Sequence, residues 1–177
     1  MAVLPIRRFP DPVLKQKAKR VREIDKAMQK LINDMFETMQ YARGVGLAAP
    51  QIGIGLRLCV IQIPETEEKL VLVNPEIVKR KGSRVVEEGC LSVPGYIGEL
   101  NRSESVMVKY LDREGKSCRL KGEELLAQAL EHEIDHLDGI LYLERLESPE
   151  KLRELKPEEE STEKSTEMKS EKETVEV

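Results

Sequence analysis

Long apolar runs are missing from this 177-residue chain: no stretch of 18 apolar residues occurs, and the opening Met-Ala-Val-Leu-Pro-Ile-Arg-Arg lacks a hydrophobic signal segment. Both absences speak against membrane spans and export, so the expectation is a soluble, cytoplasmic protein. Cysteine is sparse and odd in number, at Cys59, Cys90 and Cys118, which is unlike a disulfide framework and leaves at least one thiol free. A large net charge is absent as well. The total is −4, and residues 157–177 supply −5 through eight glutamates against three lysines, which leaves residues 1–156 at +1. With no basic excess in that part, specific nucleic-acid binding is not expected.

Histidine is nearly absent too, and the two that exist are informative. His132 and His136 stand four apart, with Glu133 directly after the first. On a helix that spacing puts both imidazoles on one face, within reach of a single metal ion. Glu133 then lies beside the metal, as a general base for a water bound there. Only about one random placement in a hundred puts two histidines four apart, which favours the metal reading over two solvated side chains.

The surrounding chain reads as one α+β domain, with mostly antiparallel sheets around a buried C-terminal helix carrying the His-Glu-x-x-His motif, and with a long N-terminal helix. Asp25 can cap that first helix, whose apolar residues Met28, Leu31, Ile32, Met35, Phe36 and Met39 recur at helical spacing until Gly44 ends it. Strands are expected over Leu56–Ile63, Leu70–Val73 and Arg84–Glu88, followed by a hairpin from Ser105–Asp112 back through Lys116–Leu120. Pro75 suits a strand start or an edge. The motif helix should begin near Gly122 and stop at Gly139, and its apolar residues all round imply burial. Residues 1–147 form the expected domain. Residues 148–177 read as a charged tail, disordered alone or a projecting helix when it meets a partner.

Catalytic metals usually hold three protein ligands and one open position, so a third ligand is needed. No third histidine exists, and Glu154 or the tail glutamates lie in a stretch with little apolar content to hold them on the core. Cys90, where a strand ends in a tight turn, is the better candidate. Cys59 reads as a buried core residue and Cys118 as incidental. Gln51 stands out as a lone amide in an otherwise apolar loop.

Gly44-Val-Gly-Leu-Ala-Ala-Pro-Gln51, Glu88-Gly-Cys-Leu-Ser92 and Gln128-Ala-Leu-Glu-His-Glu-Ile-Asp-His136 together resemble the three ordered signature motifs of the peptide deformylase family. Pro10-Asp-Pro-Val-Leu14 is also similar to the family's N-terminal segment. The resemblance covers residues 1–147 and implies a metal-dependent hydrolase that removes formyl from the N-terminal formylmethionine of nascent polypeptides and releases formate. It implies that Cys90, His132 and His136 bind one divalent metal, natively Fe2+, with Zn2+, Ni2+ or Co2+ as alternatives. Glu133 would be the general base and acid, and Gln51 and the backbone N–H of Leu91 the donors to the formyl oxygen. Val45, Gly46, Glu88, Gly89 and Ala129 would border the substrate. The run between Pro94 and Arg102 departs from relatives that carry a basic residue there. Asp135 is expected to support the site, paired with Arg102, and the tail is a candidate contact for the ribosome.

Overall fold

The computed structural model describes residues 2–156. Its elements are α1 (Lys26–Tyr41), β1 (Gly46–Ala48), β2 (Leu58–Gln62), β3 (Lys69–Lys81), β4 (Arg84–Cys90), β5 (Val93–Arg102), β6 (Ser105–Leu111), β7 (Ser117–Glu123), α2 (Glu124–Leu137) and β8 (Leu152–Glu154). They form a five-stranded sheet, β1-β2-β3-β6-β7, and a three-stranded sheet, β4-β5-β8, with antiparallel pairing between neighbouring strands. The α+β architecture matches the sequence reading.

Asp25 caps α1 as expected, its carboxylate accepting from Met28 N–H at 2.9 Å. The helix buries Met28, Ile32, Met35, Phe36 and Met39 against Leu58, Val60, Val71 and Val73 of β2 and β3. On the other face of that sheet, α2 packs Ala127, Leu130, Ile134 and Leu137 against Cys59, Ile61, Leu72, Val106 and Val108. From Ala129 to Leu137 every residue of α2 is buried. Its polar side chains must therefore find partners inside the protein.

Several elements differ from expectation. β3 does not stop at Val73 but continues through Asn74-Pro75 to Lys81 as the central strand of its sheet. The proline is accommodated because the pairing with β6 jumps from Val73↔Leu111 to Glu76↔Lys109, a bulge that needs no N–H from Pro75. β7 runs to Glu123, so the motif helix begins at Glu124 rather than Gly122. Gly122 lies in that strand, and its lack of a side chain leaves room for Leu130, whose Cδ1 would be 2.6 Å from a Cβ there. Residues 93–102, assigned no element from sequence, form β5. The chain after Ser148 also folds back: Leu152–Glu154 pairs with Tyr96–Gly98 of β5, beyond the boundary expected at residue 147. The charged stretch 157–177 lies outside the described residues.

Candidate functional site

Three separate pieces of chain converge at the end of β4. Helical spacing brings His132 and His136 together, with Nε2 atoms 3.1 Å apart. Cys90, the last residue of β4, approaches from the smaller sheet and sets its Sγ 3.3 Å from His136 Nε2. All three potential ligand atoms lie within 4.8 Å of one another, the one such cluster among the described residues. Glu154 is on β8, exposed and outside it. Cys59 is wholly buried in the core, where burial pushes its thiol up, so it stays a thiol.

Gln51 reaches the same point from a 3-10 turn, Ala49–Ile52. Its carbonyl accepts from Ala48 N–H at 2.9 Å, and its amide donates to Ser92 Oγ at 3.1 Å and faces Cys90 Sγ at 3.7 Å. An amide clamped at both ends is a preset donor. The N-terminal segment braces both loops: Arg7 N–H donates to Gln51 O at 2.6 Å and Phe9 N–H to Ser92 O at 2.8 Å. Gly46 has to be glycine because the Glu133 carboxylate occupies the space a Cβ would fill, and at Gly44 a Cβ would sit 2.7 Å from Leu91 Cδ1.

The electrostatics are set by a buried chain of charges behind the ligands. His132 Nδ1 contacts Glu88 Oε1 closely, and the Arg102 guanidinium grips both oxygens of Glu88 at 2.6 and 3.0 Å. A third Arg102 nitrogen donates to Asp135 at 2.8 Å, and Arg145 closes the far side of Asp135 at 2.8 and 3.1 Å. Burial opposes ionisation of Glu88, but its hydrogen bonds from His132 and Arg102 outweigh that and hold it at about 2. Glu133 has no such cation in hydrogen-bond contact. Burial pushes its carboxyl up to about 7, and its Oε2 is buried with no partner among the described residues.

The donor set suits a metal ion. Burial opposes charge on His136 and drives its pKa well down, which leaves a lone pair available at neutral pH. For His132 burial acts the same way but is outweighed by its bonds to Cys90 and Glu88, and the anionic surroundings that favour a proton on that ring favour a cation beside it equally. One thiolate and two imidazoles make a set for zinc or first-row transition metals.

A cavity of about 580 Å³ opens over this cluster. Its lining includes Val45, Gly46, Gln51, Glu88, Gly89, Cys90, Leu91, Ala129, His132 and Glu133, which is every candidate residue except His136, buried beneath it. Glu88 lines the wall, but its carboxylate is turned toward His132 and Arg102. The expected Arg102–Asp135 pair is present. Ser92, Arg145 and the buried ring of Tyr142, stacked on His132 with centroids 6.4 Å apart, were not singled out from sequence. Their contacts span 10 to 41 residues and leave no local pattern.

Residues 3–152 match the family described as polypeptide deformylase. A peptide deformylase of Dehalococcoides mccartyi (strain CBDB1) is 58% identical over 160 residues, covering 90% of this chain and 96% of that one. One of Thermomicrobium roseum is 49% identical over 92% of this chain and 96% of its own length. Among solved structures, a peptide deformylase from Legionella pneumophila superposes with a TM-score of 0.82 at 46% identity, covering 99% and 100% of the two chains. One from Synechococcus elongatus, in complex with actinonin, gives 0.81 at 42%, over 84% and 81%. With a family match across the folded part and a cavity built from all three signature segments, the chain belongs to the peptide deformylase family, enzymes that remove the N-terminal formyl group of polypeptides.

Proposed function

We propose that Cys90, His132 and His136 hold one divalent metal, natively Fe2+ with Zn2+, Ni2+ or Co2+ able to replace it, and that the site deformylates the formylmethionine of nascent chains in the cytoplasm. The observation that carries this is the meeting of the Cys90 thiol with both imidazoles beside the unpartnered oxygen of Glu133 and the clamped amide of Gln51. A metal there supplies Lewis acidity, which brings the pKa of a coordinated water toward neutrality.

Glu133 Oε2 accepts a proton from the water that attacks the formyl carbon and later passes it to the departing amine, so that the C–N bond breaks to give formate and a free N-terminus. Burial, which raises the proton affinity of that carboxyl, favours its taking up the proton. Gln51 Nε2 and the Leu91 N–H donate to the formyl oxygen as negative charge builds on it. Peptide backbone lies along Val45-Gly46 and Gly89 in the manner of an added strand, with the methionine side chain toward Ala129 and the wall near Glu88. Arg102 and Asp135 position His132 through Glu88. Residues 157–177 offer a separate contact for a partner such as the ribosome.

The test is anaerobic purification with metal analysis, then assay of formate release from a formyl-Met peptide. Glu133→Gln should keep its metal and lose on the order of 10²–10⁴-fold in kcat. Cys90→Ala should lose the metal itself, and full metal content with full activity in that variant would overturn the assignment.

A further inference from the structure

One strip of charge is not used by the site. Between Lys15 and Lys26 the chain carries six cations, at positions 15, 17, 19, 20, 22 and 26, against two carboxylates, Glu23 and Asp25. Ala18 and Val21 point inward, 7% and 8% exposed, while Lys17, Lys19, Arg20 and Arg22 are exposed. The backbone beneath them is tied down at four places. Ala18 N–H donates to Leu137 O at 2.8 Å, Lys19 N–H to Gly55 O at 2.9 Å and Arg57 N–H to Lys19 O at 2.7 Å. The Asn74 side chain brackets Val21 with bonds of 2.8 and 2.9 Å. The cations therefore project from a fixed rail.

Lys15 is paired with Glu144, but no ion pair engages Lys17, Lys19, Arg20 or Arg22 among the described residues. Beside the rail lies a cleft of about 320 Å³ walled in part by Lys17, Arg20 and Arg57. Both carboxylates of the cleft are already paired, Asp138 with Arg57 at 2.8 Å and Glu76 with Lys109 at 3.3 Å. A row of unpaired cations on rigid backbone complements an ordered array of anions.

The side chains that are missing from the strip select among anionic partners. None of its large apolar residues is exposed, so nothing is available to insert into a bilayer. It has no aromatic residue on which the bases of a single strand could stack. The phosphate backbone of a duplex requires neither. Six extended residues span at most about 20 Å, and a duplex carries roughly one charge per 2 Å of its axis, so a segment of this length is able to face several phosphates.

We propose that Lys17, Lys19, Arg20 and Arg22 form a docking strip for the phosphate backbone of double-helical RNA. The cleft beside the strip and the catalytic cavity share no lining residue. An enzyme whose substrates are newly made polypeptides would thereby be held at the RNA-rich machinery that makes them.

The experiment uses the full chain, metal-loaded, and a labelled RNA hairpin of arbitrary sequence, with anisotropy read from low to physiological salt. Four phosphate contacts on a duplex predict a log–log salt slope of about −3.6. The set Lys17→Glu, Lys19→Glu, Arg20→Glu and Arg22→Glu should lose at least tenfold in RNA affinity at low salt while formate release from a formyl-Met peptide is unchanged, which also reports that it folds. The neutral set with Gln at those positions should give an intermediate loss. A control of equal charge change at other exposed cations, Lys79→Glu, Lys81→Glu, Lys116→Glu and Arg119→Glu, should keep most of the affinity. The proposal is overturned by no RNA binding at low salt, by equal loss in the control, or by binding to anionic phospholipid vesicles in preference to RNA.

Discussion

Gln51 shows how much one side chain depends on its neighbours. A free glutamine amide samples several rotamers, but this one is bonded to Ala48 N–H on one side and Ser92 Oγ on the other, so its donor is aimed before substrate arrives. Gln51→Ala should therefore lower kcat for formate release by about 10²–10³-fold, with little change in metal content, as steady-state kinetics and metal analysis would report. The sequence made Gln51 conspicuous because a lone amide in an apolar loop needs a partner, and it made His132, Glu133 and His136 conspicuous through their spacing. Cys90 was separable from Cys59 and Cys118 by its place at a strand end. Ser92 and Arg145 carried no such mark, since a hydrogen bond between distant positions imposes no periodicity on the chain.

Legibility at the level of elements followed burial geometry. α1 has a capped start and one apolar stripe, so its boundaries came out within a few residues. β5 was hidden because Pro94, Gly95 and Gly98 read as turn residues, yet Gly98 is there to make room: a Cβ would come within 2.6 Å of Leu146 and 3.0 Å of Tyr142. β3 was cut short for a related reason, since Asn74-Pro75 has the chemistry of a strand end but forms a bulge. At the end of α2, Gly139 has φ +74° and lies so close to the strip segment that a Cβ would be 2.6 Å from Lys15 O. Gly139→Ala combines left-handed strain with that collision, each with a cost on the order of 1–3 kcal/mol. Urea unfolding should show a lower midpoint with unchanged slope, and a midpoint equal to the parent's would contradict the close approach.

Across the whole molecule, the proposed ligands come from both sheet systems, Cys90 from β4 and the histidines from the helix packed on the larger sheet. Metal binding and folding should therefore be linked, because the unfolded chain cannot assemble the site. At a hundredfold excess over Kd, a ligand of the native state adds about 2.7 kcal/mol, or roughly 5–10 °C in Tm for a chain of this size. Adding a chelator should lower Tm by that order in the parent and leave Cys90→Ala unmoved. The distribution of charge is also a property of the whole: a near-neutral sum over residues 1–156 concealed the basic strip, because composition counts residues without regard to where they lie. The bonds from Arg7 to Gln51 and from Phe9 to Ser92 have a practical side. They make residues 2–9 a splint for the two loops that carry the donors, so an affinity tag or fusion joined at that end loads the machinery directly. The same addition after residue 156 leaves the splint alone, and the carboxyl end is the safer handle for immobilising or labelling the enzyme.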